Sequence, residues 1–307
     1  MEGYPPPYRP FRGALPPHFV DRCTDDIGML GVVEASLKAF SNGPADPRFH
    51  RFVVAGAGMG KTALLRFVCR EAEARLGWAS VLHRCSPKQS AIGVLGTLVA
   101  AAVKRRWQGA SLLVEARGDG SAWSQLHDLL RQSARLRPSV AQGVLVALDD
   151  ADLLGAGEVQ SLGYLAQNLA REALPVAIWM SVRPWLARRF EHGGDLLSTL
   201  WPTLLGPLEG SEAREAIVVP AAERGVEFEA KALTLACAAA GGSPLEVQRV
   251  GFASWAAAGG RRRVRVADIK AALAGEGFRP ERRRDDARER LLAPELLRAT
   301  FPLSLPA

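Results

Sequence analysis

Between Val53 and Leu65 the chain reads VVAGAGMGKTALL, with three glycines, a lysine and a threonine set between two apolar runs. Glycine lets a backbone pass close to a ligand without a Cβ in the way, and the N–H groups opening a helix attract anions. A cation and a hydroxyl directly after such a turn complete a cradle for a polyphosphate. In AGAGMGKT (55–62), Lys61 is placed to neutralise outer phosphates, and Thr62 offers a hydroxyl to Mg²⁺, a hard cation that prefers oxygen. The residues expected against the nucleotide are Gly56, Ala57, Gly58, Met59, Gly60, Lys61, Thr62 and Ala63. The phosphate-loop pattern GxxxxGK[ST] has a glycine where this chain has Ala55, and Gly56 beside it is expected to supply the missing flexibility.

Two further short runs carry chemistry. GVLVALDD (143–150) is an apolar run ending in two acids, which suits a strand that delivers a carboxylate to a phosphate-bound metal. Asp149 is assigned to the Mg²⁺ coordination sphere, mainly through water, and Asp150 to orienting or activating a hydrolytic water. Capping of a following helix by Asp150 or Asp152 is the plainer reading of the same acids. In WMSVRP (179–184), Ser181 and Arg183 fall where another strand should end, so both are expected to sense the terminal phosphate, Arg183 by charge-assisted hydrogen bonds. Arg188 and Arg189 are candidates for donation to another subunit's nucleotide, or for a solvated helix end.

The elements that must position these groups alternate. Buried strands are expected at 51–55, 79–83, 143–150 and 174–181, with helices from Lys61 onward and over 91–103, 124–135 and 157–171. Such alternation implies an α/β fold with a central parallel sheet covered by helices on both faces. From Pro207 the character changes to four short helices punctuated by glycine and proline, a small helical domain. The domain reading is a proline-rich arm over 1–18, a nucleotide core over 19–206, a helical lid over 207–275 and a basic extension over 276–307.

Composition admits this. The chain has 307 residues, 48% hydrophobic and 23% charged, enough for a substantial core. The longest nearly uncharged apolar run, 91–103, is short of the roughly 20 residues that span a bilayer. The N-terminal MEGYPPPYRPFRGALPPHF lacks the apolar segment of a secretory signal and reads as an extended arm. Cys23, Cys69, Cys85 and Cys237 are scattered without CxxC pairing, so neither a zinc site nor a disulfide framework is suggested, and a reducing cytoplasm is the expected setting. The net charge of +7 is concentrated between Arg261 and Arg290, where eleven Lys/Arg face six Asp/Glu. RRRVR (261–265) and RRR (282–284) are either a phosphate-contacting nucleic-acid surface or a solvated face.

Together these residues resemble the AAA+ and STAND branches of the P-loop ATPases, in particular the origin-recognition-like AAA+ group, over about Phe19 to Leu273. PHFVDRCTDDIGML looks like that group's N-terminal signature, AGAGMGKT like Walker A, and VLVALDDADLL like Walker B with an Asp-Asp ending similar to STAND proteins. SVRP resembles a sensor segment. GGSPLEVQRVG (241–251) resembles the lid, where the resemblance places Pro244 near the base; the usual lid arginine is absent and Arg249 stands slightly late. What the resemblance implies is a P-loop NTPase three-layer sandwich with the phosphate-loop strand central, a helical lid, and ATP with Mg²⁺ as cofactors. It implies an ATP-binding, slowly hydrolysing switch. The alternatives are a nucleic-acid-associated regulatory ATPase of the replication or transposition type, using the basic C-terminal region, and a non-catalytic nucleotide-binding scaffold. ATP/ADP, a nucleic acid, and a second copy or protein partner are the expected partners, and a membrane is not.

Overall fold

A computed structural model describes residues 6–11, 16, 18–21, 23–24, 27–46, 48–91, 93–95, 143–190 and 200–275. Beyond Leu95, the helix expected over 91–103 lies outside the described residues, as do the helix over 124–135 and the basic extension. Chain order opens with β1 (Cys23–Thr24), β2 (Ile27–Gly28), α1 (Met29–Asn42), β3 (Arg51–Val54), α2 (Lys61–Leu76) and β4 (Ala79–Arg84). Next come β5 (Val144–Asp149), a 3-10 turn (Ala151–Leu154), α3 (Ala156–Arg171), β6 (Val176–Val182), α4 (Pro184–Phe190) and β7 (Trp201–Leu204). The remainder is α5 (Gly210–Ala222), β8 (Glu227–Phe228), α6 (Ala230–Ala240), α7 (Pro244–Ala258), β9 (Arg263–Val264) and α8 (Val266–Ala274).

The chain divides into two compact units. One comprises Leu30–Ala55 and Leu64–Leu204. Its centre is a five-stranded sheet in the order β4-β5-β6-β3-β7, with every neighbouring pair parallel. β5 and β6 are buried at every position, which is what unbroken runs such as VLVAL and VAIWM require of strands covered on both faces. On α3 the buried residues Val159, Leu162, Ala166 and Leu169 recur at helical spacing, forming the stripe that packs inward. Near the start of β3, Phe40 stacks on Trp78 with centroids 4.5 Å apart, and Phe49 meets both edge-on. Such aromatic pairs are worth about 0.5–1.5 kcal/mol beyond the area they bury.

Arg51 and His50 are among the polar side chains sealed into this unit. Arg51 opens β3 fully buried, donating to Ser36 Oγ at 2.7 Å and Thr203 Oγ1 at 2.9 Å and lying over the Trp179 ring. Hydroxyls and a π-face solvate the guanidinium there, and burial pulls its pKa down to about 9. His50 accepts the Ile178 N–H on Nδ1 at 3.1 Å.

The other unit comprises the described parts of Met1–Met29, Gly56–Ala63 and Leu205–Ala307. Helices α5 to α8 pack around Ile217, Val226, Val247, Val250 and Ile269, with alanines 232, 236 and 240 of α6 at i, i+4 spacing letting the helices approach closely. A two-residue parallel pair, β8 with β9, ties the α5–α6 connection to the α7–α8 connection. The proline-rich arm is not merely an extended tether. Tyr8 is buried against this bundle, donating to the Ile217 carbonyl at 2.6 Å, and Arg9 N–H reaches Gln248 Oε1 at 3.1 Å. A Cβ on Gly251 would lie 2.6 Å from the Tyr8 ring, so only glycine leaves room for it. Among the described residues no helix is long and apolar enough to cross a membrane.

Burial pushes the His50 pKa down to about 3 from its ordinary 6.5. Below pH 6.5 the unfolded chain takes up a proton that the folded ring refuses, so stability is fully present above that pH. It is lost as pH falls toward 3, by about 1 kcal/mol per pH unit from this group. Denaturant unfolding at pH 7 and pH 5 measures the slope; His50→Asn should flatten it, and an unchanged slope in that variant contradicts the assignment.

Candidate functional site

The glycine loop follows β3 directly and ends where α2 starts at Lys61. Ala55 continues the strand, donating its N–H to the Val182 carbonyl at 3.2 Å. The positive backbone angles fall later, at Gly58 (φ 75°) and Gly60 (φ 84°), and Ala55 is not among the residues with positive φ. A glycine is therefore dispensable at position 55, and the departure from the common loop pattern leaves the turn intact. Lys61 is buried and donates through Nζ to the Gly56 carbonyl at 3.0 Å, so the ammonium is folded across the loop it is expected to serve. Thr62 and Ala63 follow half-buried in the first turn of α2. On the lid side, the Leu245 N–H reaches the Gly58 carbonyl at 3.2 Å.

In the sheet unit, the ends of β5 and β6 bring the acids and the serine together. Asp149, the last residue of β5, is buried, and Ser181 Oγ donates to its Oδ1 at 2.6 Å. The same Ser181 oxygen accepts the Asp150 N–H at 3.0 Å. Ser181 lies inside β6 and is fully buried, so its hydroxyl is committed to the two acids. Asp150 occupies the left-handed region at φ 53°, a turn that separates its carboxylate from that of Asp149. Its Oδ2 pairs with Arg84 Nε at 3.1 Å, an arginine that the parallel register of β4 on β5 sets opposite Asp149. Arg183 follows β6 with its side chain about half exposed, and its Nε lies 3.5 Å from Asp152 Oδ2. The side chains of Arg188 and Arg189 lie outside the described residues.

Negative charge is dense at this strand end. The Cys85 thiol, whose N–H donates to the Asp149 carbonyl at 2.8 Å, is pushed up to about 12, first by burial and then by the charges of Asp149, Asp150 and Asp152. A divalent cation is the natural counterion of such a field, and carboxylate oxygen is the donor type that Mg²⁺ prefers. By donor type, the acids at this strand end fit the metal that the loop's chemistry calls for. Sequence reasoning found both acids and Ser181 but missed Arg84, whose partner lies 66 positions away and becomes legible only through strand register.

The lid residues are also placed. Ser243 caps α7 and Pro244 occupies its first helical position, in the first turn where a missing N–H forfeits no intrahelical bond. Arg249 is engaged by Glu246 at 2.8 Å on the same helix. In the RRRVR run, Arg261 pairs with Asp268, Arg263 lies 3.5 Å from Glu227, and Arg265 lies 3.9 Å from Glu229. Three of the four arginines in that run thus have an acidic neighbour, which reduces its cationic character.

No protein-family model matches the sequence, and a comparison with curated proteins finds no match. Solved structures do match. The structure of the Aeropyrum pernix ORC1 protein in complex with DNA superposes with a TM-score of 0.53 at 20% identity, over 78% of this chain and 64% of that one. CDC6P from Pyrobaculum aerophilum gives 0.53 at 15% identity, over 80% and 64%. The Thermotoga maritima RuvB Holliday junction branch migration motor gives 0.49 at 16% identity, over 80% and 66%. The chain thus spans slightly less than two thirds of the length of each of these proteins. At such identities the likeness speaks to architecture, and the first two carry it: the chain has an α/β P-loop NTPase fold built on a central parallel sheet, similar to that of the ORC1 and CDC6P structures.

Proposed function

We propose that this protein is an ATP-binding, slowly hydrolysing, Mg²⁺-dependent molecular switch of the AAA+/STAND type. One observation carries the reading. Three adjacent elements of one parallel sheet deliver the three sets of groups: β3 runs into AGAGMGKT, β6 carries Ser181, and β5 ends on Asp149. In this reading the loop from Gly56 to Ala63 wraps the phosphates and Lys61 exchanges its bond to the Gly56 carbonyl for a phosphate oxygen. Thr62 and Asp149 hold the Mg²⁺, which supplies charge neutralisation on the phosphates. Pro244 lines the base side of the nucleotide. Asp150 orients the hydrolytic water, and Arg183 turns from Asp152 to the terminal phosphate.

Slow turnover has a physical basis in the Arg84–Asp150 pair. The Asp150 carboxylate is held by the Arg84 guanidinium and must leave it before it can face a water. Arg84 is mostly exposed, so the pair is screened and its restraint is modest. The nucleic-acid reading rests on residues 276–307, which lie outside the described residues, since the arginines of 261–265 with acidic partners are already balanced. No observation favours the scaffold reading over a hydrolysing switch.

Titration with ATP and Mg²⁺ tests the binding half. Lys61→Ala should weaken affinity by about tenfold or more, the loss of a charge-assisted contact, and equal affinity in the two proteins rules the site out. The hydrolytic half is read from steady-state phosphate release. Asp150→Asn should abolish turnover, while Arg84→Met should raise it about two- to fivefold, in line with the strength of an exposed ion pair. Turnover that survives Asp150→Asn removes Asp150 from its role.

A further inference from the structure

The partition of the chain sets the phosphate loop, Gly56–Ala63, with the helical unit rather than with the sheet that precedes it. One specific main-chain bond joins the two. Helix α7 starts with N–H groups that have no partner within the helix, and the Leu245 N–H, one of these, donates to the Gly58 carbonyl at 3.2 Å. Gly58 holds φ +75°, and a Cβ there would come within 3.1 Å of Ser243 Oγ and 3.4 Å of Leu245 Cβ. The loop tip and the first turn of α7 are thus in backbone contact, and the absent Cβ of Gly58 makes that approach feasible. Arg249, which stands slightly late of the usual lid arginine, is meanwhile paired with Glu246 on its own helix.

We propose that the Leu245 N–H···O=C Gly58 bond is a latch through which the lid helix sets the shape of the phosphate loop and thereby the rate of nucleotide release. This rests on the nucleotide reading above and deepens it. The lid acts on the loop through main chain, and Leu245 is a positioning residue whose amide, not its side chain, does the work. An occupied loop holds Gly58 in the conformation that accepts the bond, so nucleotide and lid stabilise one another reciprocally.

The test measures release of a fluorescent, slowly hydrolysed ATP analogue by stopped flow. Leu245→Pro removes the N–H together with the leucine side chain, in the first helical turn where proline is tolerated, and should speed release about fivefold, the worth of one hydrogen bond. Leu245→Ala keeps the N–H and should restore wild-type release within about twofold. A folded Leu245→Pro protein that releases at the wild-type rate overturns the latch while leaving the site standing. An analogue whose binding ignores Lys61→Ala overturns the nucleotide site and the latch together. Because two consecutive prolines restrict the first turn, a second measurement uses the unaltered chain. In hydrogen exchange, the loop over 56–62 and the first turn of α7 over 244–247 should gain protection together when the analogue binds. Protection of the loop alone contradicts the coupling.

Discussion

A serine hydroxyl between two acids fixes the geometry on which the candidate site depends. Ser181 gives its proton to Asp149 at 2.6 Å and receives the Asp150 N–H at 3.0 Å, so one buried oxygen sets the direction of one carboxylate and the backbone of the next. This works because β5 and β6 are parallel neighbours in register, with Leu148 opposite Met180, which brings the two strand ends level. An unpartnered carboxylate at so buried a position would carry a large desolvation cost, which the hydrogen bond from the serine hydroxyl offsets in part. The left-handed turn at Asp150 then sends the second acid elsewhere, to Arg84. Two adjacent acids with nearly identical chemistry thereby acquire different surroundings: one is buried and bonded to a serine, the other partly exposed and paired with an arginine.

The strands show a division of labour along their length. Their starts hold buried groups whose charge is either refused, as at His50, or spread over hydroxyls and an aromatic face, as at Arg51. Their ends hold the acids. The aromatic-packed start anchors the sheet, and the candidate groups gather at the edge where loops leave the strands. That arrangement follows the general tendency of open parallel sheets to bind ligands beyond the carboxyl ends of their strands.

Much of this was legible in the sequence because parallel, fully covered strands leave a plain signature. RFVV, VLVALD and VAIWMSV are short unbroken apolar runs, and each was placed to within a few residues. The four lid helices were equally readable from glycine and proline punctuation. β7 was not, since WPTL has no alternation and carries a proline; the structure explains its tolerance, as β7 lies at the edge of the sheet, paired among the described residues only with β3. β8 and β9 are two residues each and join positions 36 apart, too little local signal for any pattern. The arm was legible as proline-rich but not as docked, because the slot for Tyr8 is made by a glycine, Gly251, whose meaning depends on what approaches it. Ala55 was legible as a departure, and its harmlessness emerged only from the backbone angles at Gly58 and Gly60.

The central claim is that the loop and the end of β5 serve one Mg²⁺-nucleotide. The most direct measurement is a crystal structure with Mg²⁺ and a non-hydrolysable ATP analogue. The account predicts phosphate oxygens bonded to main-chain N–H groups between Gly56 and Lys61, and one Mg²⁺ at about 2.1 Å from Thr62 Oγ1 that Asp149 reaches through a coordinated water. An analogue bound elsewhere, or an ion that touches Thr62 while Asp149 stays too far away to meet it even through solvent, contradicts the account.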